Sequence, residues 1–375
     1  MTDEKIYVTK PFLPPIEEYI PYLEDIWRSG QLTNHGPFHS AFEASLSDYF
    51  GGGHVALFNN GTQALIASLR VLELTGEVIT TAYTFVATTH AITWNNLTPV
   101  FVDIDPNTFN LSPESIEAAI TPKTTAILAV HCYGNPCNVE AIELIAQKHG
   151  LKLIYDAAHA FGVSKDNISL VRYGDLSIVS FHATKVMNTF EGGAVICHNA
   201  DTKDKLKKIS NFGFENATTI LGVGMNAKMP ETSAAMGLLQ LKYVDGLIDA
   251  RKKIDTFYRE GFKNLAGIYC FSYAKDWIMN YGYFPILVQE DYPLTRDELF
   301  ELLDNNGYKL RRYFYPLTSS IEAYNHFPSS SSDNLPVSHA IAKQVLCLPI
   351  YPELEIRHIN TVIKLIAEQT LSSRR

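Results

Sequence analysis

Charge is scarce in this chain. Asp, Glu, Lys and Arg together make up 19% of its 375 residues, the formal net charge is −9, and no Lys/Arg run of useful length occurs. A nucleic-acid surface needs a basic stripe, so that class of partner is excluded. Cysteine is sparse too: Cys132, Cys137, Cys197, Cys270 and Cys347 are scattered, odd in number and form no CxxC. They make no disulfide framework and fit a reducing compartment. His131, Cys132, Cys137 and His182 lack metal-ligand spacing, so no metal site is expected. No apolar window is long enough to span a bilayer. The start, Met1-Thr-Asp-Glu-Lys-Ile6, carries acid where a signal peptide needs an apolar stretch. The expectation is a cytoplasmic protein that binds neither membrane nor nucleic acid.

What the chain does have is apolar residue, 46% of the total, enough for one large core and a smaller one. Short β-rich runs alternate with helix-like segments between about residues 55 and 200. These runs are 55–58, 77–80, 99–104, 125–130, 151–155, 176–181 and 193–197. Being apolar on both sides of the pleat, they read as strands buried between helices. The alternation implies an α/β fold with about seven mostly parallel strands sandwiched by helices. Beyond residue 235 the texture changes to a long helical stretch from Thr232 to Arg259, a strand at 283–288 and a closing helical pattern at 359–371. This predicts a large domain over 1–240, including the N-terminal segment, and a smaller α+β domain over 241–375. The serine-rich run 328–334 is expected to be mobile surface.

Two residues carry the chemistry. Asp156 closes an apolar run, Lys185 follows the next one, and ligands of open α/β sheets bind outside the carboxyl ends of strands. An amine and a carboxylate so placed suit pyridoxal 5′-phosphate: the lysine forms the Schiff base, and the aspartate keeps the pyridine nitrogen protonated. An unpaired buried carboxylate costs several kcal/mol, and a protonated pyridine would pair it. Burial would move Lys185 towards the neutral amine that such chemistry needs. In Asn59-Asn-Gly-Thr-Gln-Ala-Leu65, Asn60 reads as a helix N-cap, Gly61 permits the turn, and the next free N–H groups with Thr62 suit a phosphate. Ser180 adds a hydroxyl, and Gly192-Gly193 is expected to turn the chain tightly. Phe85, with Tyr83 in reserve, is a ring to lie on the cofactor face, and His159 a partner for its phenolate oxygen. Thr33, Arg311, Arg312 and Tyr315 are candidate substrate contacts.

These segments, in this order, resemble the DegT/DnrJ/StrS sugar-nucleotide aminotransferases, within the fold-type-I pyridoxal-phosphate enzymes. The resemblance rests on Leu32-Thr-Asn-His-Gly-Pro37, Asn60-Gly-Thr62, His131-Cys-Tyr-Gly134, Asp156-Ala-Ala-His159, Ser180-Phe-His-Ala-Thr-Lys185, Gly224-Met-Asn-Ala-Lys-Met229 and Cys347-Leu-Pro349. It implies Lys185 as the Schiff-base lysine, Asp156 as the pyridinium partner and His159, where many members carry glutamine, as the phenolate contact. Gly61, Thr62 and Ser180 become phosphate ligands. Asn226 matches an asparagine that crosses from a neighbouring subunit to the phosphate, which implies a homodimer. The stretch from His182 to Gly193 is similar to members that aminate the 4-position. The implied reaction moves an amino group from L-glutamate to the C4 ketone of a nucleotide-linked 4-keto-6-deoxyhexose, serving a surface glycan such as lipopolysaccharide O-antigen or an antibiotic sugar. Amination at C3, a pyridoxal-dependent sugar dehydratase and a non-catalytic cofactor-binding regulator are the alternatives.

Overall fold

Seven of the apolar runs meet in one sheet. A computed structural model describes residues 5–372; Met1–Glu4, most of the stretch on which the absence of a signal peptide was argued, lies outside them. The strands are β1 (His54–Phe58), β2 (Glu77–Thr81), β3 (Thr98–Val102), β4 (Thr124–Val130), β5 (Lys152–Asp156), β6 (Leu176–Ser180) and β7 (Gly193–Cys197). Their order is β1-β7-β6-β5-β4-β2-β3. Every pair is parallel except those of β7, which runs against both neighbours. The six strands that share one direction, β1 to β6, each lead into a helix or a loop at one edge, and the reversed β7 begins at that same edge. Gly193 there is in register with Phe58 on one side and Ser180 on the other.

Side chains of one strand alternate between two cores, as a pleated sheet requires. Val55, Leu57, Ile127, Leu153, Val179 and Ile196 pack on one face. Ala56, Phe58, Leu128, Ile154, Ile178 and Val195 pack on the other. Helices cover both, which is why the strands read as continuous apolar runs.

The smaller unit is a three-stranded antiparallel sheet of β8 (Ile268–Cys270), β9 (Phe284–Val288) and β10 (Val345–Leu348). Its own core joins Phe284, Ile286, Leu346 and Leu348 to Ile359, Val362 and Ile366 of the last helix, Ile356–Ser372. Ile6–Tyr7 pairs in parallel with Tyr308–Lys309, and Ile6 enters this second core. The beginning of the chain is therefore sewn onto the smaller unit, although the sequence groups it with the large one.

Two further expectations change. The helical stretch expected from Thr232 to Arg259 is two helices, Glu231–Leu241 and Val244–Phe262. The last turn of the first tightens to i→i−3 bonds at Lys242 and Tyr243, with no Gly or Pro to announce the break. The serine-rich run is surface, with residues 328 and 331–334 exposed, but it is pinned at Ser329 and Ser330. The Ser329 hydroxyl oxygen accepts the N–H of Phe101 in edge strand β3 at 3.1 Å, and buried Ser330 donates to the Tyr324 carbonyl at 2.7 Å. A serine run here covers an open sheet edge.

Candidate active site

A cleft of about 370 Å³ opens at the edge where β1, β5 and β6 end. One wall is the first turn of the helix Gly61–Val71. Asn60, extended at φ −162°, caps it by accepting the Gln63 N–H at 2.9 Å. The Gly61 and Thr62 amides precede the first intrahelical bond, from Ala64 N–H to the Asn60 carbonyl. They lie at the positive end of the helix, beside the cleft, where an anion is stabilised. Ser180 closes the wall: a Cβ on Gly61 would lie 3.0 Å from the Ser180 Cβ. A Cβ on Gly193 would lie 2.7 Å from the Asn60 backbone. Neither Gly192 nor Gly193 has a positive φ; the left-handed residue of that loop is Phe190, at φ 65°. The glycine pair thus serves close approach of three chain segments, a correction to the tight turn expected of it.

The floor holds the ionisable groups. Asp156 is buried, and its oxygens accept from the Thr88 hydroxyl at 2.8 Å and the Ala158 amide at 3.1 Å. Burial raises its pKa, with those hydrogen bonds and the Lys185 charge opposing in part. Burial also lowers the Lys185 amine to about 8, against the pull of Asp156. Each group is pushed towards its neutral form, so the carboxylate lacks a matching cation and the amine is primed to lose its proton. His159 is buried, and its Nδ1 accepts the Tyr133 N–H at 3.1 Å. The free nitrogen, Nε2, must then carry the hydrogen. Burial, reinforced by Lys185, holds this imidazole well below its ordinary pKa, so it is a neutral donor. The Lys185 amine itself donates to the Tyr283 hydroxyl at 3.1 Å.

The remaining candidates separate. Phe85 caps the helix Val86–Trp94, leaves 59% of its surface exposed and lines the cleft. Tyr83 is core: fully buried, its hydroxyl 2.6 Å from that of Tyr133. Arg311 lines the cleft. Arg312 instead pairs with Asp297 at 3.0 Å and lies over the Phe300 ring, while Tyr315 stacks under Arg296. Neither reaches the cleft wall. An extended segment points successive side chains to opposite sides, which splits Arg311 from its neighbour. Thr33 is exposed and outside the cleft lining of a single chain. So is Asn226, whose side-chain oxygen accepts from Lys228 at 2.8 Å. Among the described residues no group of three or more His, Cys, Asp or Glu is arranged to hold a metal.

Sequence reasoning gave no role to Thr88, Tyr133 or Tyr283. Thr88 had a faint signal, as a hydroxyl in the first turn of a helix that leaves a strand end. Tyr283 had none, because 98 residues separate it from the lysine it touches.

An amine held near neutrality, a buried carboxylate short of a cation, a neutral N–H donor, an exposed ring and a helix N-terminus together fit pyridoxal phosphate point by point.

A model of the DegT/DnrJ/EryC1/StrS aminotransferase family matches residues 15–367. The chain is 50% identical over 366 residues to a dTDP-4-amino-4,6-dideoxy-D-glucose transaminase of Shigella dysenteriae, covering 98% of this chain and 99% of the relative. It is 48% identical over 370 residues to an Escherichia coli protein of the same name, again covering 98% and 99%. The crystal structure of DesI in the presence of its TDP-sugar product superposes with a TM-score of 0.93 at 35% identity, covering 100% of this chain and 96% of that one.

Proposed function

This chain belongs to the DegT/DnrJ/EryC1/StrS aminotransferase family, and from that premise we propose that it moves an amino group from L-glutamate to the C4 ketone of dTDP-4-keto-6-deoxy-D-glucose. The products are 2-oxoglutarate and dTDP-4-amino-4,6-dideoxy-D-glucose. The substrate follows from two relatives of about half identity over nearly the whole length, both named for that amino sugar. The observation that carries the chemistry is the Asp156–Lys185 floor, where both groups are driven towards neutrality in one cleft.

Pyridoxal phosphate, when bound, would supply an electron sink that makes the Cα proton of glutamate acidic. The protein does the rest. Asp156, steadied by Thr88 and the Ala158 amide, offers its remaining lone pairs to a cationic ring N–H. His159 donates its Nε2 hydrogen to an anionic oxygen, and Tyr133 fixes that tautomer from behind. Gly61, Thr62 and Ser180 hold the phosphate at the helix N-terminus. Phe85 covers a ring face and excludes water from it. Lys185 takes a proton from one carbon and returns it to another, which an amine of pKa about 8 can do near neutral pH. Arg311, at the cleft wall, is the cation placed to meet an anionic substrate.

Asn226 is exposed and does not line the cleft of its own chain, which supports a role for it in a second copy, across a homodimer. Among the described residues no helix is long and apolar enough to cross a membrane; the proposed place of action is the cytoplasm, in assembly of a surface glycan. Incubation with L-glutamate and dTDP-4-keto-6-deoxy-D-glucose tests the whole reading. Mass spectrometry should show ketone oxygen replaced by an amine, and NMR should place it on C4. An amine on C3, or no amine, sinks the proposal.

A further inference from the structure

Tyr283 enters the cleft from the smaller unit, one residue before β9, and its hydroxyl accepts the Lys185 N–H at 3.1 Å. Nothing in the proposed reaction has used it. Three features fix its place. The buried Asn280 side chain donates to the His159 carbonyl at 2.7 Å and the Phe161 carbonyl at 2.9 Å, tying this segment to the loop after Asp156. The same Asn280 accepts the Gly282 N–H at 3.1 Å. Gly282 in turn lies so near Val186 that a Cβ would sit 3.0 Å from its Cγ2. The hydroxyl is thus carried on a segment tied to the loop after Asp156 and packed against the lysine's own loop.

Resting on the function proposed above, we infer that Tyr283 is the positioning residue for the free Lys185 amine, holding one N–H so that the nitrogen lone pair faces the cleft. An unanchored lysine amine swings on a four-carbon stem, and each transferred proton then has a search to complete. An acceptor on one N–H removes that search without blocking the lone pair. The lone pair stays free as long as the phenol's own hydrogen is turned away from the nitrogen, since a donated O–H would block it. Burial keeps the Tyr283 phenol well above its usual pKa, so it stays un-ionised and adds no charge beside the amine. Besides Asp156, His159 and Tyr283, the cleft that holds the amine is lined by His182, Glu191, Arg311 and Tyr313, and of these Asp156 is the one whose charge pulls against the lowered pKa of Lys185.

Tyr283→Phe keeps the ring and deletes the acceptor, so it isolates the hydrogen bond from packing. Two readouts separate positioning from structure. In single-turnover reactions with L-glutamate, the rate should fall about 10-fold while KM and thermal stability hold, the loss expected for one hydrogen bond. In the cofactor-free protein, uptake of pyridoxal phosphate followed against pH should show its midpoint moved down by about one unit. The missing acceptor favours the ammonium form, and its loss makes the amine easier to deprotonate. An unchanged rate, or a lower rate with an unmoved midpoint, overturns the inference. If the unsubstituted protein takes up the cofactor yet never reacts with glutamate, it is the aminotransferase reading that falls, and the inference falls with it.

Discussion

Two buried acid–base clusters in this molecule behave in opposite ways. In the smaller unit, Asp255 accepts from Arg259 Nε at 2.7 Å, Arg259 Nη2 at 3.3 Å and the Tyr273 hydroxyl at 2.8 Å. Burial alone would lower the Arg259 pKa, but its bonds and attraction to Asp255 more than offset that, and the net shift is upward. Charge is locked in. On the cleft floor, buried Asp156 and partly buried Lys185 lack such pairing, and both are driven towards neutrality. The lesson is about where a fold tolerates unmet charge. A satisfied pair holds structure together, whereas groups left short of partners and pushed from their ordinary pKa mark a candidate functional site.

The sharpest way to break this contrast is to remove the cleft amine. Lys185→Ala should abolish turnover and the visible absorbance of bound cofactor while leaving the fold intact; steady-state activity in that variant would end its assigned role. Asp156→Asn comes next. It should cost about 100-fold or more in turnover, the scale of losing a preorganised charge, with no loss of thermal stability in the cofactor-free protein. Asp255→Asn should show the mirror image. Stability measured by denaturant unfolding should drop by about 2 kcal/mol, because Arg259 is left without its partner, while kcat stays unchanged.

Two smaller effects sharpen the picture. In its proposed role Lys185 must be uncharged to capture pyridoxal phosphate, and burial lowers its amine to a pKa of about 8. Uptake by the cofactor-free protein should therefore rise about tenfold per pH unit below 8 and level off above it; a flat profile would contradict the depressed pKa. His159→Gln should change turnover by no more than about threefold, since an amide N–H replaces the Nε2–H, and the change should not vary between pH 6 and 8. Loss on the scale of Asp156→Asn would show that the imidazole does more than donate one hydrogen bond.

Legibility followed the same divide. Asp156 and Lys185 stood out as candidates because one ends an apolar run and the other follows the next, and such runs end at one edge of a parallel sheet. Asn60 could be read because a capping side chain acts within three residues of itself. Arg312 and Tyr315 look the same as Arg311 in the sequence, yet Asp297, Phe300 and Arg296 draw them elsewhere. Thr88 and Tyr283 gain meaning only by the atoms they face.

The residues by themselves determined the alternation of strands and helices and marked Asp156 and Lys185 as candidates at strand ends, because burial pattern and strand ends are local properties of the chain. Only the tertiary structure decided which nitrogen of His159 carries its hydrogen, that the N-terminal strand joins the smaller unit, and that a tyrosine 98 residues from Lys185 holds its amine. Hydrogen bonds depend on separation in space within a few tenths of an ångström, and nothing along the sequence records that distance.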